Sequence, residues 1–522
     1  MEGIKTIKTE WNLTPLLNGD NDPQLGHKKG IIQKSHQEFV KKWKNRDDYL
    51  KHPEKLKEAL DDFNELSEKY ARGGDPMFYF ALRSGQDQID PELKAKNNKF
   101  EEFSKKLGTD VNFFLLRISK INSAEYEKFL SYPGLAQYRH RLERIFNQAK
   151  YLLTEEGEKI ITLKANSAHK AWADMITSLM SKEERTMIIE EKKKVSFAEI
   201  TALLNHEDKK VRDNAAKIYN EILSKYIDIS EAEINAILGN KKVDDELRNM
   251  PRPDFSRHLK DNIDSKIVDT LVKSVSKRFN ISRKYYEIKA KLAGVRQLEY
   301  HERNVNYGKI DKKYSYEEAI NLVYKTFSDL DKEFADILKR FNDNGQIDVY
   351  PKKGKSSGAF CIYWNRINPV YVLLNFAGRI DDVVVIAHEF GHAINDEMMK
   401  NKQNALNYGT PTSTAEVASV FMEDFVIQEV IKHADDELRL AILMERLNRD
   451  VATIQRQIAC YMFEQELHKK HREKGYLSKE EIGKLFQKHM HAYMGEYVEQ
   501  SPGSENWWSN WWHIRNFFYT YS

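Results

Sequence analysis

Along most of the chain, apolar residues recur at three- and four-residue steps between charged ones, the period of helices that bury one face. Segments 22–45, 53–72 and 91–121 carry this pattern, and 135–152 with 155–181 read as an antiparallel helical pair. The pattern continues through 198–204, 208–225, 228–249, 265–293 and 316–343, and Pro251-Arg252-Pro253 marks a break between packed pieces. Proline spacing agrees. None occurs between Pro133 and Pro251, between Pro253 and Pro351, or between Pro411 and Pro502, and such tracts, rich in Lys, Glu, Leu and Ala, favour long helices. The texture changes at 346–363, where β-branched and aromatic residues flank a Gly-Ser loop. The apolar run 370–376 is short enough for a strand. Further helices are expected near 412–433, 435–474 and 479–496. The fold class is therefore mostly α with a small β-sheet. Residues 1–200 form an N-terminal helical domain without clustered catalytic residue types, and 201–522 form the domain that carries the chemistry.

That chemistry centres on Ile380-Asp-Asp-Val-Val-Val-Ile-Ala-His388-Glu389-Phe-Gly-His392-Ala-Ile-Asn. Val383, Val384, Ala387, Gly391 and Ile394 share one helical face, and Asp381 is placed to cap the first turn. His388 and His392, four apart, lie one turn apart on one face, and two imidazoles in that relation can share a tetrahedral metal. Glu389 can reach a metal-bound water without binding the metal, which is the H-E-x-x-H arrangement. The plainer reading is a pair of core or surface histidines, but an apolar run buries this helix, and a buried histidine pair needs partners.

A zinc site needs a third protein ligand. A histidine six residues on is excluded, because Asn395 and Met398 occupy the positions where that pattern has glycine and histidine. A carboxylate from a second helix remains, and Glu416 in Thr410-Pro411-Thr-Ser413-Thr-Ala-Glu416 leaves room for a turn between antiparallel helices. Ser413-x-x-Glu416 also fits a capping box, the competing reading. Glu423, seven further on, shares the face of Glu416. It can hold the other ring nitrogen of a ligand histidine, or it is a plain exposed acid.

Composition narrows the remaining classes. Net charge is +3, from 83 basic and 80 acidic residues, which gives no footprint for nucleic acid or membrane. The run Lys192-Lys-Lys194 beside acids reads as a solvated helix face. Two cysteines, Cys361 and Cys460, imply no disulfide framework. The polar start and the lack of a membrane-length apolar run make the cytoplasm the default setting. Gly354-Lys355-Ser356 is no phosphate loop, since Val349 stands where such a loop needs glycine. The last stretch, Trp507-Trp-Ser-Asn-Trp-Trp-His513-Ile-Arg515-Asn-Phe-Phe-Tyr519-Thr-Tyr521, is either an aromatic core helix or a wall of donors over the metal. On a helix, Tyr521 falls nearer the face of His513 than Tyr519 does.

These pieces resemble the oligoendopeptidase F branch of the thimet oligopeptidase family of zinc peptidases. The likeness is carried by Gly358-Ala-Phe, Tyr371-Val-Leu-Leu-Asn-Phe, 381–392, Ala415-Glu416-Val-Ala-Ser to Glu423, and His513 to Tyr521. It extends weakly to Leu153-Thr-Glu-Glu, Ala171-Trp172 and Trp11-Asn-Leu. The resemblance implies a two-lobed, zincin-like helical body around a deep channel, acting on internal bonds of short peptides. It implies one Zn²⁺ held by His388, His392 and Glu416, Glu389 as base, and His513 with a nearby tyrosine, Tyr521 or Tyr519, as oxyanion donors. It implies that the strand 370–376 pairs with substrate backbone, and that the family continues for several helices beyond the aromatic segment. The alternatives are a zinc carboxypeptidase or dipeptidyl carboxypeptidase of similar body, a non-catalytic peptide-binding protein with a vestigial site, and a metal-free helical scaffold. An intact Glu389 argues against a vestigial site.

Overall fold

The computed structural model describes residues 3–71, 73–189, 191–308 and 312–521. Its chain forms two compact units, each assembled from two separated segments: 1–150 with 311–433, and 151–310 with 434–522. A single division near residue 200 does not describe this arrangement. The helices Tyr316–Leu330 and Lys332–Asn344 and the sheet that follows return to pack with the N-terminal segment, so the long middle segment is an insertion.

The first unit opens with helices Leu25–Trp43, Pro53–Tyr70, Gly74–Gln86 and Pro91–Ile118. Phe39, Trp43, Tyr49, Leu56 and Phe114 form the core shared by the first, second and fourth, whereas Phe78, Phe80 and Leu82 of the third pack with Trp11, Tyr371 and Leu373. The helix Gly74–Gln86 escapes sequence reading because nine of its 13 residues are buried and none is fully exposed, so no polar face marks its period. A three-stranded sheet follows, in the order Ile347–Asp348, Tyr371–Leu373, Phe360–Ile362, the first pair parallel and the second antiparallel. Trp11 ties the N-terminal segment to it, its indole N–H donating to the carbonyls of Gln346 and Val372. Beyond the sheet come helices Ile380–Lys400 and Thr412–Lys432.

The second unit is built on a 39-residue helix, Lys209–Leu247, which spans the two segments expected as separate helices. The expected single helix 265–293 divides into Ser265–Ser276 and Phe279–Leu292. The stretch 435–474 runs as Asp436–Asp450 and Gln457–Lys474, joined by a π-helical turn. Lys192–Ser196 is a strand, not a helix face. It pairs antiparallel with Glu184–Ile188, Thr186 facing Lys194, and with Val195 its only apolar residue no alternation marks it as a strand. No described helix is long and apolar enough to cross a membrane.

Candidate metal centre

The helix Ile380–Lys400 starts where Asp382, not Asp381, accepts hydrogen bonds from the backbone N–H groups of Ala377 and Arg379, both at 2.9 Å. Val383, Val384, Ala387, Gly391 and Ile394 are buried, as their spacing predicts. Gly391 decides how close the next helix comes. A Cβ there would lie 2.5 Å from Ser419 Cα and 2.6 Å from the Ala418 carbonyl oxygen. The two helices touch backbone to backbone only because residue 391 lacks a side chain.

That approach delivers Glu416 to the histidine pair. Its Oε2 lies 3.6 Å from His388 Nε2 and 3.7 Å from His392 Nε2, and the three donor atoms fall within 4.8 Å of one another. Tetrahedral zinc with ligands near 2.1 Å sets donor atoms about 3.4 Å apart, so this set fits a metal of that kind. The capping-box reading fails. The helix starts at Thr412 with Pro411 as its N-cap, no side chain caps it, and Ser413 is already inside the first turn. Ser419 Oγ instead donates to Glu416 Oε2 at 3.0 Å. Glu423 Oε1 accepts from His388 Nδ1 at 2.5 Å, which turns Nε2 toward the shared point. The ring of His392 is held by the Ala415 carbonyl.

The electrostatics follow from burial and these partners. Burial works against a charged His388, but the Glu423 hydrogen bond and the nearby Glu389 and Glu416 carboxylates together outweigh it and raise the pKa above the ordinary value. Burial pulls His392 down. Burial pushes the Glu389 carboxyl up to about 7, even though the Cys361 backbone N–H hydrogen-bonds to it. A group that titrates near neutrality is suited to both taking and giving a proton.

Two residues escaped sequence reading. Asp396, one turn after His392, is buried, and burial pushes its carboxyl up to about 7. The Cys361 thiol points at its Oδ2, 3.7 Å away. Together they brace the strand Phe360–Ile362 against the metal helix. The four-residue step from His392 to Asp396 was the available signal.

The strand expected to pair with substrate is corrected. Tyr371–Leu373 is the central strand, bonded on both sides and buried, because its all-apolar run suits the middle of a sheet. Both outer strands have one partner in the sheet; Ile347–Asp348 is buried, whereas Phe360–Ile362 is half-buried, and its Cys361 N–H already faces Glu389.

His513, Tyr519 and Tyr521 belong to the second unit, and their stretch is not a continuous helix. It forms short 3₁₀ turns, Ser504–Asn510, Trp512–Arg515 and Tyr519–Tyr521. Phe517 and Phe518 sit at φ 46° and 55°, left-handed conformations that break any helical register. Helical spacing therefore does not apply, and the preference for Tyr521 beside His513 is overturned. The Tyr521 hydroxyl donates to Asp261 Oδ2 at 2.7 Å, and its ring packs on His258 and Tyr461. Of the two tyrosines, Tyr519 is the ring neighbour of His513, at a centroid distance of 5.2 Å, with Trp511 on the same ring at 5.5 Å. Burial lowers the His513 pKa. The core reading holds for part of the stretch: Trp508, Ile514 and Phe518 are fully packed, and Arg515 forms a buried two-pronged pair with Glu233.

A second histidine–carboxylate cluster, Asp213, His301 and Glu302, has ligand-like spacing. Its acids are already neutralised. Lys209 Nζ lies 3.0 Å from Asp213 and 3.2 Å from Glu302, and Arg212 Nη2 lies 2.7 Å from Glu302. It is an ion-pair network.

The sequence matches the profile of peptidase family M3 over residues 202–522, and that of oligopeptidase F over 117–182. The chain belongs to peptidase family M3. This M3 metallopeptidase is 23% identical over 456 residues to the oligoendopeptidase F homologue of Lactococcus lactis, covering 85% of this chain and 74% of that one. It is 24% identical over 480 residues to oligopeptidase PepF of Bacillus subtilis, covering 89% and 69%. Its fold is similar to that of oligoendopeptidase F from Enterococcus faecium, with a TM-score of 0.66, 17% identity, and 95% and 84% of the two chains covered. It is also similar to a Chlamydophila abortus protein designated a peptidase, with a TM-score of 0.81, 21% identity, and 99% and 88% covered.

Proposed function

We propose that this M3 peptidase is a zinc-dependent oligoendopeptidase that cuts internal bonds of short, unstructured peptides in the cytoplasm. The observation that carries the reading is the convergence of His388, His392 and Glu416 on one point, with Glu389 one residue from a ligand but turned to another partner. Two imidazoles and a carboxylate are a donor set that zinc favours, with one position left open. When bound, zinc supplies Lewis acidity toward water and the scissile carbonyl. Glu423 fixes the ring of His388 so that Nε2 is offered to the metal. Glu389 takes a proton at its carboxylate as water attacks, and returns it to the leaving nitrogen. The free edge of Phe360–Ile362, rather than 370–376, is assigned to pairing with substrate backbone. This sets the peptide beside the base, because Cys361 belongs to that strand. The resemblance assigns His513 as a donor to the substrate carbonyl, and Tyr519 takes the place first given to Tyr521. Free Cys361 and Cys460 agree with a reducing setting.

Mass spectrometry of products from a mixed peptide set, end-blocked and free-ended, with and without a chelator, tests the reading. Internal cleavage of blocked peptides that a chelator abolishes is expected. Dependence on a free C-terminus would make the chain a carboxypeptidase. Glu389→Gln should keep its metal and lose hydrolysis, and loss of the metal in that variant would refute the assigned role.

A further inference from the structure

Helices Leu25–Trp43 and Pro91–Ile118 lie side by side in the first unit and enclose a cavity of about 670 Å³. They run parallel. Lys29 Nζ sits 4.9 Å from the Phe103 ring near one end, and Arg117 Nη1 donates to the Lys44 carbonyl at the other. From Lys29 to Lys44 the groove is about 22 Å long. Val40, Phe103 and Leu107 give it an apolar floor, and Lys29, Lys41, Lys44, Lys99 and Lys106 stand along its rims.

These five lysines differ from their neighbours. Lys34, Lys42 and Lys105, on the same helices, are paired with Glu38, Asp62 and Glu101. Among the described residues, none of the five has an ion-pair partner, although Glu102 and Asp110 also line the cavity. The groove therefore keeps a surplus of three positive charges over an apolar base. His36 adds a polar group from below. It is only 3% exposed, and its Nδ1 bonds the Ile32 carbonyl at 2.9 Å, which leaves Nε2 as its open position on the cavity. Burial lowers its pKa, so Nε2 is an acceptor at neutral pH.

The arrangement selects a ligand. There is no arginine among the lining residues, so no planar fork exists to grip one phosphate or carboxylate. The lysines act as separate point charges spread along the groove. A ligand that matches them carries negative charges at intervals, an apolar group between, and an N–H for His36. We propose that this groove binds an acidic peptide segment, with Asp or Glu side chains on the lysine rims and an apolar side chain on Val40, Phe103 and Leu107. The site shares no residue with the metal centre and is independent of the zinc reading.

The test uses the metal-loaded full chain carrying Glu389→Gln and a fluorescent, end-blocked peptide of Asp and Glu around Leu-Phe-Leu, followed by anisotropy. The acidic peptide should bind and its lysine counterpart should not. Binding should weaken as salt rises from about 50 to 300 mM, because screening shortens the reach of exposed charges. Lys41→Glu/Lys44→Glu/Lys106→Glu should weaken it at least about tenfold, while the same triple change in the Glu389 chain leaves hydrolysis of a neutral peptide unchanged. If the reversal prevents folding, Lys→Gln at the three positions should give a smaller loss of the same sign. Unchanged affinity in a folded triple variant overturns the proposal. So does binding of citrate, inorganic phosphate or anionic vesicles with the same lysine dependence where the peptide fails to bind.

Discussion

Gly391→Ala is the sharpest test of how the metal centre is built. The added methyl would sit 2.5 Å from Ser419 Cα, 2.6 Å from the Ala418 oxygen and 2.8 Å from the Ser419 nitrogen. All three are backbone atoms, so no side chain can rotate away. To restore an ordinary 3.4 Å contact, the helices Ile380–Lys400 and Thr412–Lys432 must part locally by about 0.9 Å. Overpacking of this kind costs about 1–3 kcal/mol, against a helix-propensity gain of about 1 kcal/mol for replacing a mid-helix glycine. Net stability should therefore fall by no more than about 2 kcal/mol. The effect on metal binding should be larger. Ligand distances tolerate about 0.2 Å, and Glu416 is three residues from the displaced Ser419. Gly391→Ala should stay folded and lose zinc to a competing chelator at concentrations that leave the parent loaded. Metal content measured after dialysis, with thermal melting as the control for folding, decides it. A variant that melts normally and holds zinc as tightly as the parent would refute the argument that this glycine sets the Glu416 helix in place.

Further outcomes follow from other contacts. Glu423→Gln should weaken zinc about 10–100-fold without unfolding the chain, because His388 loses a charged partner at Nδ1; chelator competition measures it, and unchanged affinity rejects the role. Tyr521→Phe should lower stability by about 1–2 kcal/mol through the lost bond to Asp261 and leave turnover intact, whereas Tyr519→Phe should lower turnover with little change in melting. The opposite pattern restores Tyr521 as the donor. Glu464 is fully buried, and burial holds its carboxyl well above 4.5, while its Oε1 accepts from Phe518 N–H. The folded chain therefore keeps a proton that the unfolded chain releases above about pH 4.5, and stability falls as pH rises through that window. Glu464→Gln should gain on the parent at pH 8 and match it near pH 4 in urea denaturation. An equal difference at both pH values would show that ionisation of Glu464 is not what matters.

Much of the metal centre was legible because its signals are local. H-E-x-x-H places two imidazoles on one helical face whatever surrounds them, the family likeness pointed to Glu416, and the seven-residue step from Glu416 put Glu423 on the same face. The long helices were legible for the same reason, although 208–225 and 228–249 proved continuous, since no proline or glycine separates them. Register was not legible where the backbone leaves regular structure. Phe517 and Phe518 take left-handed conformations that their residue types do not advertise, and that moves Tyr519 to His513 and Tyr521 to Asp261.

The sequence by itself determined the helical class, the histidine pair, the acid beside it and a short sheet before them, because each depends on spacing within one turn or one strand. Tertiary structure alone decided the rest. It settled Glu416 as a partner of the histidines rather than a cap, because the Gly391 contact lies between helices. It made Tyr371–Leu373 central and left Phe360–Ile362 with a free edge, because strand order is set by which segments return to pair. It assembled each unit from two distant segments, because burial rewards contacts without regard to their separation along the chain.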